Sequence, residues 1–256
     1  MTMTLNRTKS MIFGLLVTTL IASTSVAQAS EVKVIAANAV KESVLEVIAG
    51  FERASGHKVI AAWGGTEAIA KRVNGGEIFD VIIIAAPNID KLAQDGKVVQ
   101  GTRTDFAKSG IGVAVRTGLP RPDVSSSEAL KRAVLSANSI AYSSGPSGFY
   151  IVDLFKRLGI SEQIKDKVKQ PASGVQVGEL IARGEADLGF QQISELMNVK
   201  GIDFLGPLPV ELQNITVYSA GLHGAAPAPE AARAFMKSLT APETAPIIRR
   251  AGMDPA

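Results

Sequence analysis

Apolar and polar positions along this chain switch repeatedly between a short alternating or continuous period and a helical one. β-type runs at 32–37, 58–62, 80–85, 110–116, 139–142, 186–191 and 214–220 predict strands. Between them, apolar residues three and four apart predict helices at 41–54, 67–73, 87–93, 127–135, 147–158, 177–183, 229–239 and 241–251. In the first helix Val44, Leu45, Val47, Ile48 and Phe51 are expected to face inward. The run DVIIIA at 80–85 is apolar without alternation, as expected of a parallel strand covered on both faces.

Strands alternating with helices predict an α/β protein with helices on both faces of its sheets. The pattern pauses at a Pro-rich turn, 119–122, and then restarts. The expectation is two lobes, 30–110 with 217–256 forming one and 111–216 the other. The strands near 110–116 and 214–220 are the expected crossings between them.

The amino terminus has a different pattern. Arg7 and Lys9 precede an apolar run at 11–22 and a small-residue exit, Ala27-Gln28-Ala29. A run of about a dozen apolar residues is too short to span a bilayer and reads as a secretory signal, 1–29, with cleavage near Ala29-Ser30. The remaining chain is expected to be released into the periplasm, without membrane insertion.

Composition narrows the chemistry. There is no cysteine, so disulfides, thiolate metal sites and cysteine nucleophiles are absent. Two histidines, His57 and His223, are too few and too far apart in sequence for a histidine-rich metal site. Once the signal is removed the charge is nearly balanced, and no Lys/Arg run suggests nucleic acid.

Three turns that enter helices carry small polar residues: Ala36-Ala37-Asn38-Ala39, Trp63-Gly64-Gly65-Thr66, and Ser143-Ser144-Gly145-Pro146-Ser147-Gly148. Helix starts expose unpaired N–H groups and the positive end of the dipole, and glycine lets a ligand approach the backbone. In open α/β sheets such turns lie at the carboxyl ends of strands, where ligands bind. One alone reads as an ordinary cap, whereas three together point to an anion pocket. Ser147 lacks the spacing of a nucleophile elbow, and 110–112 lacks the third glycine of a dinucleotide loop. Asp203, Asp187 and Glu185 read as solvated turn residues, and His223 as a loop histidine.

The segments VIAANAVKESVLEVIAGFERASGHKV, GGTEAIAKRV, FDVIIIAA, SGPSGFYIVDLFKRLG, ELIARGEADLGFQQISEL and APETAPIIRRAGM resemble, in this order, the periplasmic molybdate-binding proteins of ABC importers. The resemblance implies the two-lobed type II periplasmic binding protein fold, a small anion between the lobes, and delivery to an importer permease. It also assigns ligand contacts: the first-turn serine of the family falls on Ala39, beside Asn38, and the second on Thr66, after Gly65 and before Glu67. The third falls on Ser147, a backbone contact on Val175, and the family tyrosine on Gln192, next to Gln191. The changed hydroxyls and an added carboxylate favour a small organic acid over molybdate. Some proteins similar to this family are aconitate isomerases, and the resemblance offers that activity as an alternative. It needs a base and an acid but no cofactor, with Glu67 the candidate base and Tyr150 or His223 the acid.

Overall fold

The computed structural model describes Met1 and residues 29–256; the expected signal, apart from its two ends, lies outside the described residues. The strands are β1 (Glu31–Ala37), β2 (Lys58–Gly64), β3 (Val81–Ala85), β4 (Thr104–Ser109), β5 (Ile111–Arg116) and β6 (Ile140–Tyr142). They continue as β7 (Val168–Lys169), β8 (Leu188–Gln192), β9 (Ile202–Pro207), β10 (Thr216–Leu222) and β11 (Asp254–Pro255). The helices are α1 (Lys41–Ser55), α2 (Thr66–Asn74), α3 (Ala86–Gln94), α4 (Ser127–Ser136) and α5 (Pro146–Arg157). After them come α6 (Ser161–Ile164), α7 (Val177–Ala182), α8 (Ile193–Leu196), α9 (Pro229–Leu239) and α10 (Ala245–Arg250).

Two separate sheets result. The first has the order β11-β4-β10-β3-β1-β2, the second β7-β6-β8-β5-β9. In the first, β1 runs parallel to β2 and β3, with Val34 opposite Val81, while β10 returns antiparallel against β3 and β4. In the second, β6 is parallel to β7 and β8, and β5 is antiparallel to β8 and β9. Every residue of β3 is buried, which explains its unbroken apolar run. The first sheet's core joins β1 and β3 to α1 and α9, where Phe51 and Phe235 meet edge to face. The second core joins β5 and β8 to α4 and α5 through Phe155 and Phe190.

Sequence periodicity locates these elements well where burial is one-sided. In α1 the inward stripe is Ser43, Val44, Val47, Ile48 and Phe51, and the helix ends on Gly56 with φ 74°. Leu45, expected inward, is instead exposed, because it stands about 100° around the helix from Val44. The strands β4 and β9 carry too many polar and glycine positions to stand out. Asp203, read as a turn residue, lies in β9 and accepts from Thr117 Oγ1 at 3.0 Å. The terminal helical pattern breaks into a 3-10 turn (Pro242–Thr244) and α10.

The crossings between the sheets lie at the leading ends of the expected strands rather than along them. β5 lies wholly in the second sheet, so the first crossing is Gly110 alone, between Ser109 and Ile111. The second is the segment 208–215, before β10. Two glutamines tie them together. Gln213 holds Ile111 twice, accepting from its N–H at 2.8 Å and donating to its carbonyl at 3.0 Å. Gln192 donates to Ser109 Oγ and the Gly110 carbonyl, both at 3.1 Å, and accepts from Thr216 Oγ1 at 2.9 Å.

One glycine is fixed by close backbone approach. A Cβ on Gly148, in the first turn of α5, would stand 1.5 Å from the Ser143 carbonyl oxygen. Gly148→Ala should therefore destabilise the protein by about 2 kcal/mol or more in chemical denaturation. Leu45→Gln should stay within about 0.5 kcal/mol of the parent, as an exposed position does.

Candidate functional site

The turns that follow β1, β2 and β6 converge between the two sheets. Lining the same pocket are Ala37 to Ala39, Gly64 to Thr66, Ser143 to Ser147, Ser173 to Val175, Gln191, Gln192, Glu195 and Tyr218. The pocket leaves about 40 Å³ open to water-sized atoms, enough for roughly three waters or one compact ion. None of its lining residues is Lys, Arg or His, so an anion here would be met by dipoles and hydroxyls rather than by cations. α5 begins at the pocket with Gly145 as cap, Pro146 in its first turn and no acidic residue there, leaving its positive end uncompensated.

The two halves touch directly across this site. A Cβ on Gly65 would stand 2.3 Å from Ser173 Oγ and 2.6 Å from the Gly174 nitrogen. A Cβ on Gly174, which holds φ 91°, would stand 3.0 Å from the Gly65 nitrogen. Asn38 Nδ2 donates to the Gly174 carbonyl at 2.9 Å, beside that contact.

Donor accounting separates occupied groups from free ones. Ser143 Oγ accepts from the Gly148 N–H at 3.1 Å and shares a hydrogen bond with Ser147 Oγ at 2.9 Å. The Gln191 amide accepts from the Val177 N–H at 2.8 Å and donates to Gln176 and to Glu195 Oε1. The Val175 N–H is used by the Ala172 carbonyl. By contrast, the hydroxyls of Ser144 and Ser173 are buried in the pocket wall with no protein partner. Buried hydroxyls are rarely left unpaired, and these two lie in the wall of the pocket.

Glu195 is the one ionisable carboxyl in the lining. Burial pushes it up to about 7, against hydrogen bonds from Gln176, Gln191 and the Gln192 backbone. Tyr218, almost wholly buried, is raised well above its ordinary value, by burial first and by the Glu195 charge second.

Asn38, Ala39, Gly65, Thr66, Ser147, Val175, Gln191 and Gln192, singled out from the sequence, all line the pocket. Asn38, Gln191 and Gln192 are nevertheless engaged with other protein groups. The three candidate catalytic residues lie elsewhere. Glu67 faces a neighbouring open cleft, where Asn88 Nδ2 donates to it at 3.2 Å. The Tyr150 hydroxyl donates to the Leu212 carbonyl at 2.8 Å and its ring lies under Arg157. His223 sits at the opposite end of β10 from Tyr218, its N–H on the Asp80 carbonyl. Burial and then Lys97 hold its imidazole below the usual range. Glu195, Tyr218 and Ser173 escaped sequence reasoning. A four-residue helix directly after a strand gives no periodicity with which to aim Glu195, and Tyr218 reads as an ordinary strand residue.

Folded Glu195 keeps a proton that the unfolded chain, near 4.5, releases. Its contribution to stability is therefore full below about 4.5 and is lost as pH rises through about 7. Glu195→Gln should raise the melting temperature at pH 8 and change it little at pH 5. Equal shifts at both pH values would mean that the carboxyl is not desolvated.

The chain matches the model of a family described as bacterial extracellular solute-binding protein over residues 32–254. It is 38% identical to an aconitate isomerase of a Pseudomonas species, over 92% of this chain and 93% of that one. The molybdate-binding protein ModA of Azotobacter vinelandii is 31% identical over 66% of this chain and 68% of its own. Among solved structures, the periplasmic molybdate-binding protein of Azotobacter vinelandii superposes with a TM-score of 0.74 at 21% identity, covering 87% of this chain and 98% of that one. The sulfate-binding protein SubI of Mycobacterium tuberculosis gives 0.73 at 19%, covering 89% and 87%. The fold is thus the mixed α/β type II fold of periplasmic binding proteins, and the chain belongs to the bacterial extracellular solute-binding proteins.

Proposed function

We propose that this protein captures a compact organic carboxylate between lobes 30–110 with 217–256 and 111–216, after export to the periplasm, for delivery to an ABC importer. The observation that carries the reading is the pair of unpartnered buried hydroxyls, Ser144 and Ser173, beside the start of α5. Both hydroxyls belong to the second half, and Ser173 packs against Gly65 of the first. A ligand bonded to both would sit on the second half while Gly65 and Thr66 of the first close over it, the hinge-closure arrangement of a capture protein. A fully ionised tetrahedral dianion suits the pocket less well, because Glu195 brings a carboxyl into a lining without cations. Contacts for a carboxylate come from hydroxyls and from the amide end of α5.

Calorimetry with malonate, cis-aconitate, trans-aconitate and molybdate tests the reading. Ser144→Ala and Ser173→Ala should each weaken the bound carboxylate about tenfold, since hydrogen bonds to charged groups contribute about 1.5–3 kcal/mol. Molybdate binding tighter than every carboxylate, or unchanged affinity in both variants, refutes it.

A second reading is favoured by Glu195 and Tyr218 together with the aconitate isomerase relative. Ionised Glu195 would take a proton from the allylic carbon, the double bond would shift, and a proton from Glu195 or Tyr218 would be returned to the far carbon. The six-carbon substrate needs a wider opening between the halves than the 40 Å³ of this structure. Incubation with trans-aconitate should then yield the cis isomer, with at least a hundredfold loss in Glu195→Gln, a typical scale for a removed acid–base group. No conversion by the parent protein eliminates this reading.

A further inference from the structure

We propose that Glu195 is a specificity-determining residue: it carries a proton when the pocket closes on its anion, so that capture takes up a proton together with the ligand. The proposal rests on the reading of the cleft as a carboxylate pocket and adds to it the protonation state in which the pocket binds.

The geometry supplies the argument. Glu195 stands in α8, directly behind β8, and its Oε1 accepts from Gln191 Nε2 at 2.9 Å in the pocket lining. Helix α8 packs on α7, β5, β8, β9 and the turn Asn38–Val40. On these elements, among the described residues, the titratable or charged groups near their outer faces are Glu179, Arg116 and Asp203. Glu179 pairs with Arg183, Arg116 with Asp187, and Asp203 with Arg121. From β10 only Tyr218 faces Glu195 electrostatically, and it is held neutral. No cation is therefore available to neutralise a second negative charge beside Glu195.

Two like charges in one small pocket without cations repel strongly, and the less costly outcome is that one group binds a proton. Glu195 is already poised near 7 in the free protein, and an arriving carboxylate moves it further upward. Once protonated, the carboxyl gains an O–H donor that can be aimed at the ligand oxygen. A carboxylate can share that proton in a short charge-assisted hydrogen bond, whereas a fully ionised oxyanion of a strong acid cannot take it up as readily. The same group thus disfavours one anion class and assists the other. The isomerase reading requires the opposite, an ionised Glu195 when substrate arrives.

Isothermal titration of the full mature protein with malonate, cis-aconitate and trans-aconitate, in two buffers of different ionisation enthalpy from pH 6 to 8.5, measures the proton directly. Any carboxylate that binds should take up about one proton per ligand at pH 8.5, and its affinity should fall about tenfold per pH unit above 7. Glu195→Gln should abolish both effects and bind roughly tenfold tighter than the parent at pH 8, because no proton has to be recruited. A flat pH profile in the parent overturns the proposal while leaving carboxylate capture intact. So does a Glu195→Gln variant that keeps the parent's slope and proton uptake. Failure of all three carboxylates to bind removes the capture reading, and the proposal with it.

Discussion

The contact on which this architecture depends is the approach of two backbones, Gly64-Gly65 at the end of β2 and Ser173-Gly174 before α7. Neither side tolerates a Cβ without displacing the other, and Gly174 also holds a left-handed φ that favours glycine. That approach brings the two halves within hydrogen-bond range, lets Asn38 reach the Gly174 carbonyl, and encloses a pocket walled by main chain and small polar side chains. Everything proposed about ligand capture follows from walls of this kind. Hydroxyls and helix-end amides are neutral donors that discriminate by geometry and by the number of hydrogen bonds they can complete.

A wall without cations makes any ionisable group inside it unusually influential. Glu195 is raised not by a neighbouring charge but by loss of water, and its hydrogen bonds from Gln176 and Gln191 only partly offset that loss. The pocket therefore pairs a surplus of neutral donors with a single titrating group. Binding with a proton and catalysis by moving a proton are two uses of the same arrangement, distinguished by the state of Glu195 when the ligand arrives.

Much of the fold was readable because most of its elements have one clear period. The stripe in α1, the unbroken run of β3 and the amphipathic α9 place themselves. Strands β4 and β9 do not, since their burial is decided by neighbours distant in sequence: β10 and β11 for one, β5 for the other. The site shows the same division. Glycine- and serine-rich turns announce a ligand-approaching backbone, so Gly65, Thr66 and Ser147 could be named in advance. The turns do not reveal which hydroxyls are consumed internally. Ser147 is paired with Ser143, while Ser144 and Ser173 are buried in the pocket wall without a protein partner, a difference that only the fold decides. Glu67 looked like the pocket carboxylate because it follows Thr66, yet the next residue on a helix points about 100° away.

The one-residue crossing at Gly110 has a consequence for how affinity can be set. A Cβ there would stand 3.1 Å from the Gln213 amide and 3.3 Å from Ile193 Cδ1, on the side where Gln213 and Gln192 clasp both strands of passage. Bulk added at this pivot would press on the Gln213 amide and on Ile193, next to pocket-lining Gln192, and so act on the balance between the closed and the parted form. Apparent ligand strength would then scale with the fraction still able to shut, so binding could be adjusted from this axle.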